Sequence, residues 1–310
     1  MLKDYQPNEY LQEFAILREI EIKYDRNNQP YLSVLLQDKS SIIDGKMWHI
    51  SEEIAQSFKQ GQVVYVAGEL KLFNKRPQLK IDQMRLAKNN EPNDPSLYMD
   101  SAPLSTEELM CEMSEYIDAL SEPYHSVIQA LMKEYGDRFY HAPAAKKNHH
   151  NYSGGLAYHT LSMLRLSKGI VACYPQLNAS LLYAGIITHD FGKIWEMSGA
   201  VATEYTLAGE LMGHLVLMDE VLNTICNRYD IDIDEDILML KHMILSHHGK
   251  LEYGSPVKPK LLEAEVLHQI DYMDATINMI TTALTHSEEG RFTERIAPME
   301  GRSFYHPKEK

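Results

Sequence analysis

His159, the adjacent His189-Asp190, His214, the pair His247-His248 and Asp271 are imidazoles and carboxylates set in stretches that are otherwise apolar and of helical period. Residues 181–190, LLYAGIITHD, show the pattern best. A helix that is apolar nearly all round is buried, and a buried imidazole or carboxylate must be paired or ligated. A single such histidine is ordinarily a satisfied core residue. Five such places in one chain point instead to a divalent metal, because hard and borderline cations take this mixture of imidazole nitrogen and carboxylate oxygen. Nearly all of the fourteen histidines lie beyond position 120. The three cysteines, Cys111, Cys173 and Cys226, are widely spaced and form no CxxC, which excludes a disulfide framework and a thiolate zinc site.

Neighbouring residues are weighed against this set. Asp274 lies three positions after Asp271, on the same helical face, and reads as a carboxylate that orients a ligand histidine. His242 and His268 read as structural, His286 and His306 as surface residues. The loop holding Lys146, Lys147, His149 and His150 precedes the His159 helix, and its cations suit a phosphate backbone near a metal. Gly154-Gly155 permits the turn into that helix.

The elements that must position these groups follow from periodicity. The composition is globular, and 310 residues with net charge −14 suggest two domains. Residues 13–90 carry a net +2 and residues 91–310 a net −15. Within an expected first domain of residues 1–88, residues 13–88 read as short strands, at 14–24, 31–36, 41–48, 62–72 and 78–86, with a helical stretch at 52–58. That order is the order of a five-stranded OB-fold β-barrel. Residues 89–103 are rich in Pro, Asn and Asp and read as a linker without strand or helix. Residues 104–310 are all-α, with helices near 105, from 121 to about 135, and at 156–173, 178–189, 207–228, 235–246 and 259–285, ending in an irregular tail. The expected fold class is therefore multidomain α and β. In the barrel, Lys71, Phe73, Lys75, Arg76 and Lys80 interleave with Tyr31, Trp48 and Tyr65, a surface on which bases stack and phosphates are tracked. The acidic charge elsewhere would keep such binding local and salt-sensitive. No apolar run approaches the roughly 20 residues of a membrane span. The opening MLKDYQPNEY is neither a signal nor a transit peptide, so a cytoplasmic protein without membrane contact is expected.

The order H … HD … H … HH … D, with Gly192-Lys193 completing an HDxGK form, resembles the HD phosphohydrolase superfamily. The resemblance implies that Asp190 bridges two metals. His159, His189 and Asp271 would complete one site, and His214 with one or both of His247 and His248 the other. The metals would activate water for in-line attack on phosphorus, with Lys193 holding a phosphate oxygen as a point charge.

A narrower resemblance covers essentially the whole chain. HHNYSGGLAYHTLSMLRL (149–166), HDFGKIWEMSG (189–199), YTLAGELMGH (205–214) and LKHMILSHHGKLEYGSP (240–256) are similar to the YhaM family of 3′→5′ exoribonucleases, which joins an OB-fold to an HD domain. It implies release of nucleotides from the 3′ end of single-stranded RNA. Single-stranded DNA is a further substrate to consider, manganese is the expected ion with cobalt or iron(II) as substitutes, and a homo-oligomer is within the family's range. The competing readings are an HD phosphohydrolase of a nucleotide or cyclic dinucleotide, and a nucleic-acid-binding regulator with a purely structural HD domain. The barrel argues against the first, the filled ligand set against the second.

Overall fold

The computed structural model describes residues 1–74, 76–99, 102–145, 152–199 and 203–308, without the side chains of Arg76 and Ser96. The chain divides into two compact units, Met1–Ser101 and Ala102–Lys310.

The first unit is a closed barrel. Its strands are β1 (Tyr10–Tyr24), β2 (Pro30–Gln37), β3 (Ile42–Met47), β4 (Val63–Phe73) and β5 (Arg76–Leu86), in the order β1-β2-β3-β5-β4, with β4 closing on β1. All pairings are antiparallel except β3 with β5, which is parallel. Side chains alternate across a strand. In β2, Leu32, Val34 and Leu36 therefore enter the core with Val64, Val66, Leu79 and Ile81, while Tyr31, Ser33 and Leu35 face outward. Burial of each such aliphatic side chain stabilises by roughly 1.5–3 kcal/mol. Helix α1 (Glu52–Ser57), capped by the Ser51 hydroxyl, connects β3 to β4.

The segment after β5 corrects an expectation. Pro95–Tyr98 forms a turn of 3₁₀ helix, and Tyr98 is buried against Ile16 and Val63 of the barrel. Glu91 accepts two guanidinium hydrogen bonds from Arg85, at 2.7 and 2.8 Å. Proline and asparagine prevent long regular structure here, yet a short turn still docks an aromatic ring.

The second unit is helical: α2 (Thr106–Asp118), α3 (Tyr124–His141), α4 (Gly155–Cys173), α5 (Ala179–Thr188), α6 (Lys193–Glu196), α7 (Leu207–Arg228), α8 (Glu235–Ser246) and α9 (Leu262–Thr285). Helix α2 opens with a reciprocal capping box between Ser105 and Glu108. Helix α3 runs to His141, beyond the expected end near residue 135, because Phe139 and Tyr140 add a buried turn. Helix α5 buries Leu181, Leu182, Ala184, Ile186 and Ile187 and is the spine of the core. Beyond α9 the chain is irregular, tied by isolated bridges between Phe292 and Tyr305 and between Ile296 and Arg302.

Candidate functional site

Helix α5 delivers His189 at its C-cap, and Asp190 follows in the turn into α6. The turn must pass close to α7. A Cβ on Gly192 would lie 2.1 Å from the His214 carbonyl oxygen, so only glycine lets these backbones touch. Gly213, at φ 73°, breaks the α7 helix immediately before His214. Helices α4, α8 and α9 supply His159, the pair His247-His248 just past the α8 end, and Asp271.

The Asp190 carboxylate lies at the centre and divides the histidines between its two oxygens. Oδ2 is 3.4 Å from Nε2 of His189 and 3.9 Å from Nε2 of His159. Oδ1 is 3.4 Å from Nε2 of His214 and 3.6 Å from Nε2 of His247. Asp271 Oδ1 lies 3.3 Å from Nε2 of His159. Donor atoms of His159, His189 and Asp271 converge within 4.8 Å, as do those of His214, His247 and His248. His189, Asp190 and His247 form the shared middle.

The opposite nitrogen of each ring is already engaged. Nδ1 of His189, His247 and His248 donates to the carbonyls of Ile186, Ile244 and Tyr253, at 2.7–2.8 Å. A carbonyl only accepts, so in the neutral rings Nε2 carries the lone pair. Carboxylates do the same work for the other two rings. Asp274 Oδ2 is 2.7 Å from Nδ1 of His159, and its Oδ1 accepts from the Ser162 hydroxyl. Glu196 Oε1 is 2.9 Å from Nδ1 of His214 and also accepts from the His214 main-chain amide at 3.0 Å. His268 holds the paired histidines in place through Nδ1, 2.9 Å from the His247 carbonyl.

The electrostatics favour a cation. Burial opposes ionisation of Asp190, but Lys193 and His189 outweigh it and hold the carboxyl well below its ordinary range. Burial likewise opposes ionisation of Asp271, and its hydrogen bond to His159 overrides that cost and keeps it ionised. Burial pushes the His247 imidazole down to about 3, so it is neutral at physiological pH. Burial lowers His159 too, but Asp271 and Asp274 prevail and raise it to about 10, so the same carboxylates hold a proton on this ring that a bound ion would displace. Among the described residues, Nε2 of His189, His214 and His247 and Oδ1 of Asp190 are buried without a hydrogen-bond partner. Each unsatisfied buried group costs roughly 1–3 kcal/mol. Convergence of such groups on one point is what a metal would repay, and the mixed nitrogen and oxygen donors fit a divalent ion.

Lys193 stands beside this centre, its Nζ donating to Asp190 Oδ2 at 2.6 Å and to the Ala144 carbonyl at 2.8 Å. His242 lies outside the set, its Nε2 accepting from the Lys260 amide at 2.9 Å.

On the barrel, Tyr31 and Trp48 stack with ring centroids 4.3 Å apart. Lys46 Nζ is 5.7 Å from the Tyr31 ring, 5.9 Å from Trp48 and 5.7 Å from Phe73. The register extends this outer face through Ser33, Lys46 and Lys80 in one row and Leu35, Asp44 and Gln78 in the next.

Family models match both units: an OB-fold nucleic acid binding domain over residues 15–87 and an HD domain over residues 156–276. The chain is 41% identical over 307 residues to the 3′-5′ exoribonuclease YhaM of Listeria welshimeri, covering 99% of this chain and 98% of that one. The YhaM of a Geobacillus species is 41% identical over 304 residues, covering 98% and 94%. The chain belongs to the YhaM family. Among solved structures, the second OB-fold domain of replication protein A from Methanococcus maripaludis aligns with 29% of this chain and 95% of its own, at 18% identity and TM-score 0.25.

In this YhaM-family chain, His159, His189, Asp190, His214, His247, His248 and Asp271 come together. The expected barrel contacts are more dispersed. Phe73 joins the Lys46 platform, whereas Lys71 pairs with Glu69 at 3.0 Å and Lys80 lies 3.9 Å from Asp82. Tyr65 sits apart, edge-on to Phe14 and 4.7 Å beneath the Arg85 guanidinium. Lys75, Lys146, Lys147, His149 and His150 lie outside the described residues, as does the Arg76 side chain. Glu196, His268 and Lys46 escape the sequence reading as site residues. For Glu196 a hint exists, since HDFGKIWE places a carboxylate six residues after Asp190, but nothing in the sequence pairs it with His214.

Proposed function

We propose that this chain is a metal-dependent 3′→5′ exoribonuclease that hydrolyses single-stranded RNA at the Asp190 centre, with the barrel of residues 1–88 holding the strand and residues 104–310 cutting it. The division of the Asp190 carboxylate carries the reading, because Oδ2 faces one set of donors and Oδ1 another. A carboxylate with a donor set facing each oxygen could serve two divalent ions. His159, His189 and Asp271 would hold one ion, and His214, His247 and His248 the other. Manganese suits the imidazole and carboxylate mixture, and cobalt or iron(II) would substitute.

Bound there, such ions would make a water nucleophilic at neutral pH and neutralise charge on the phosphate oxygens. The protein's own groups do the rest. Asp274 and Glu196 fix the rings of His159 and His214, and main-chain carbonyls fix His189, His247 and His248. Burial alone would discharge Lys193, but Asp190 keeps its pKa raised, so it presents a positive charge to a phosphate. The Tyr31–Trp48 stack and Phe73 offer faces to bases, with Lys46 among them as the cation. Stacking and phosphate contacts do not read the 2′-hydroxyl, so single-stranded DNA is a second substrate. The exposed free cysteines Cys111 and Cys173 suit a reducing cytoplasm. Among the described residues no helix is long and apolar enough to cross a membrane.

The test is a gel assay on single-stranded RNA with added Mn²⁺. RNA labelled at its 5′ end should shorten progressively, and RNA labelled at its 3′ end should release labelled mononucleotide at once. Asp190→Asn should lose both patterns and weaken metal uptake while keeping its helical circular dichroism. Internal fragments, or RNA left intact by metal-replete protein, would overturn the reading.

A further inference from the structure

A cavity of about 390 Å³ opens between α3, the turn after it and α6, and Lys193 is its link to the metal centre. Pro143, Ile194 and Met197 give it apolar walls, and Asp137, Arg138, His141 and Ser198 give it polar ones. Lys193 belongs to both places, since it lines the cavity while its Nζ holds Asp190 at 2.6 Å. Arg138 is fixed in advance. Its guanidinium donates to the Ile194 carbonyl and lies 5.4 Å from the Trp195 ring centroid, and no carboxylate pairs with it among the described residues.

We propose that this cavity is the subsite for the 3′-terminal nucleoside of the RNA, the one that leaves as the mononucleotide. The proposal rests on the exoribonuclease reading and deepens it. Ligand pockets run from roughly 300 to 1,000 Å³, so this one is large enough for a nucleoside. Its walls match a nucleoside, which has apolar faces on the base and polar edges on base and ribose. A planar guanidinium stacks on a base and donates to its rim. Lys193, with its Nζ on Asp190 and the Ala144 carbonyl, is the cation through which the phosphate of a nucleoside seated here would reach the metal centre.

The test compares three chromogenic phosphodiesters with Mn²⁺-loaded full-length protein. Bis(p-nitrophenyl) phosphate carries no nucleoside. Uridine 5′-(p-nitrophenyl phosphate) imitates the leaving nucleotide. The 3′-(p-nitrophenyl phosphate) of 2′-O-methyluridine imitates the upstream one. In Ser198→Trp, an exposed position where a ring would fill the cavity, kcat/KM for the 5′-ester relative to the bis-ester should fall by about tenfold or more, mainly through KM. The same ratio for the 3′-ester should move less than about twofold. Arg138→Gln, which removes the charge and the stacking plane, should act in the same direction and covers the event that the tryptophan variant misfolds. An unchanged 5′-ester ratio in a folded variant overturns the subsite, and so does an equal loss for both nucleoside esters. Wild-type protein that cleaves neither esters nor RNA would overturn the exoribonuclease reading and the subsite together.

Discussion

In the helical unit the groups that would do chemistry are buried, and each ring is fixed by a second bond: His189 by Ile186, His214 by Glu196, His159 by Asp274. In the barrel the groups that would hold a strand are exposed. Phe73 is 58% and Trp48 39% accessible, and Lys46 reaches over them from an outward-facing position. A metal centre needs lone pairs aimed at one point, which costs desolvation and demands a rigid shell. A strand-binding face needs flat rings and charge available to any base. The same residue types thus carry different information. A histidine in an apolar helix is expensive and informative, whereas a lysine on an alternating strand is cheap and resembles any solvated face.

Removing metal should show this difference most strongly. Exhaustive chelation is expected to abolish RNA hydrolysis and lower the melting temperature of the helical unit. At an ion concentration 100 times its Kd, binding stabilises by about 2.7 kcal/mol. Calorimetry of chelated and reloaded protein checks this, and an unchanged melting profile would argue against buried ligation.

The two supporting carboxylates sharpen the picture further. Asp274→Asn and Glu196→Gln should each cost about 10–100-fold in activity or metal affinity. They should do so at different ions. Asp274→Asn would weaken the ion held with His159, and Glu196→Gln the ion held with His214. Metal content measured by mass spectrometry should show partial loss in each variant and fuller loss in the double variant.

Smaller effects belong to the barrel. Trp48→Ala should weaken RNA binding by about 1–3 kcal/mol, the contribution of one stacked base. KM would rise while kcat on RNA changes little, as steady-state kinetics on an unstructured oligonucleotide can decide. Lys46→Ala should reduce the slope of log Kd against log salt by about 1 if its ammonium meets a phosphate. An unaltered slope would leave Lys46 only a partner for the rings.

How much of this was legible beforehand follows the same division. The order of His159, His189, Asp190, His214, His247, His248 and Asp271 is visible because each breaks an apolar run. Asp274 is visible because helical spacing puts it beside Asp271. Glu196 is not, because it ends a four-residue helix too short to announce itself, and a break at Gly213 brings His214 to it. The strand pattern of the barrel is legible from alternation. The platform's rings, Tyr31, Trp48 and Phe73, are legible by type, but their stacking and the place of Lys46 among them are not, because these arise from pairing β2 with β3 and local sequence carries no register. Tyr98 shows the same limit, since its burial against Ile16 and Val63 depends on residues far away in the chain.

The rings of His189 and His247 lean on carbonyls three residues earlier, in the last turns of α5 and α8. Helix ends fray before helix centres do. These two ends are buried, with Thr188, His189, Ser246 and His247 all fully covered, so the coordination chemistry is written into helix ends that the surrounding core holds shut. A bound ion would act as a clasp on both termini and tie their loosening to that of the leucine-rich spine. Inactivation by heat should then coincide with unfolding of the helical unit rather than precede it.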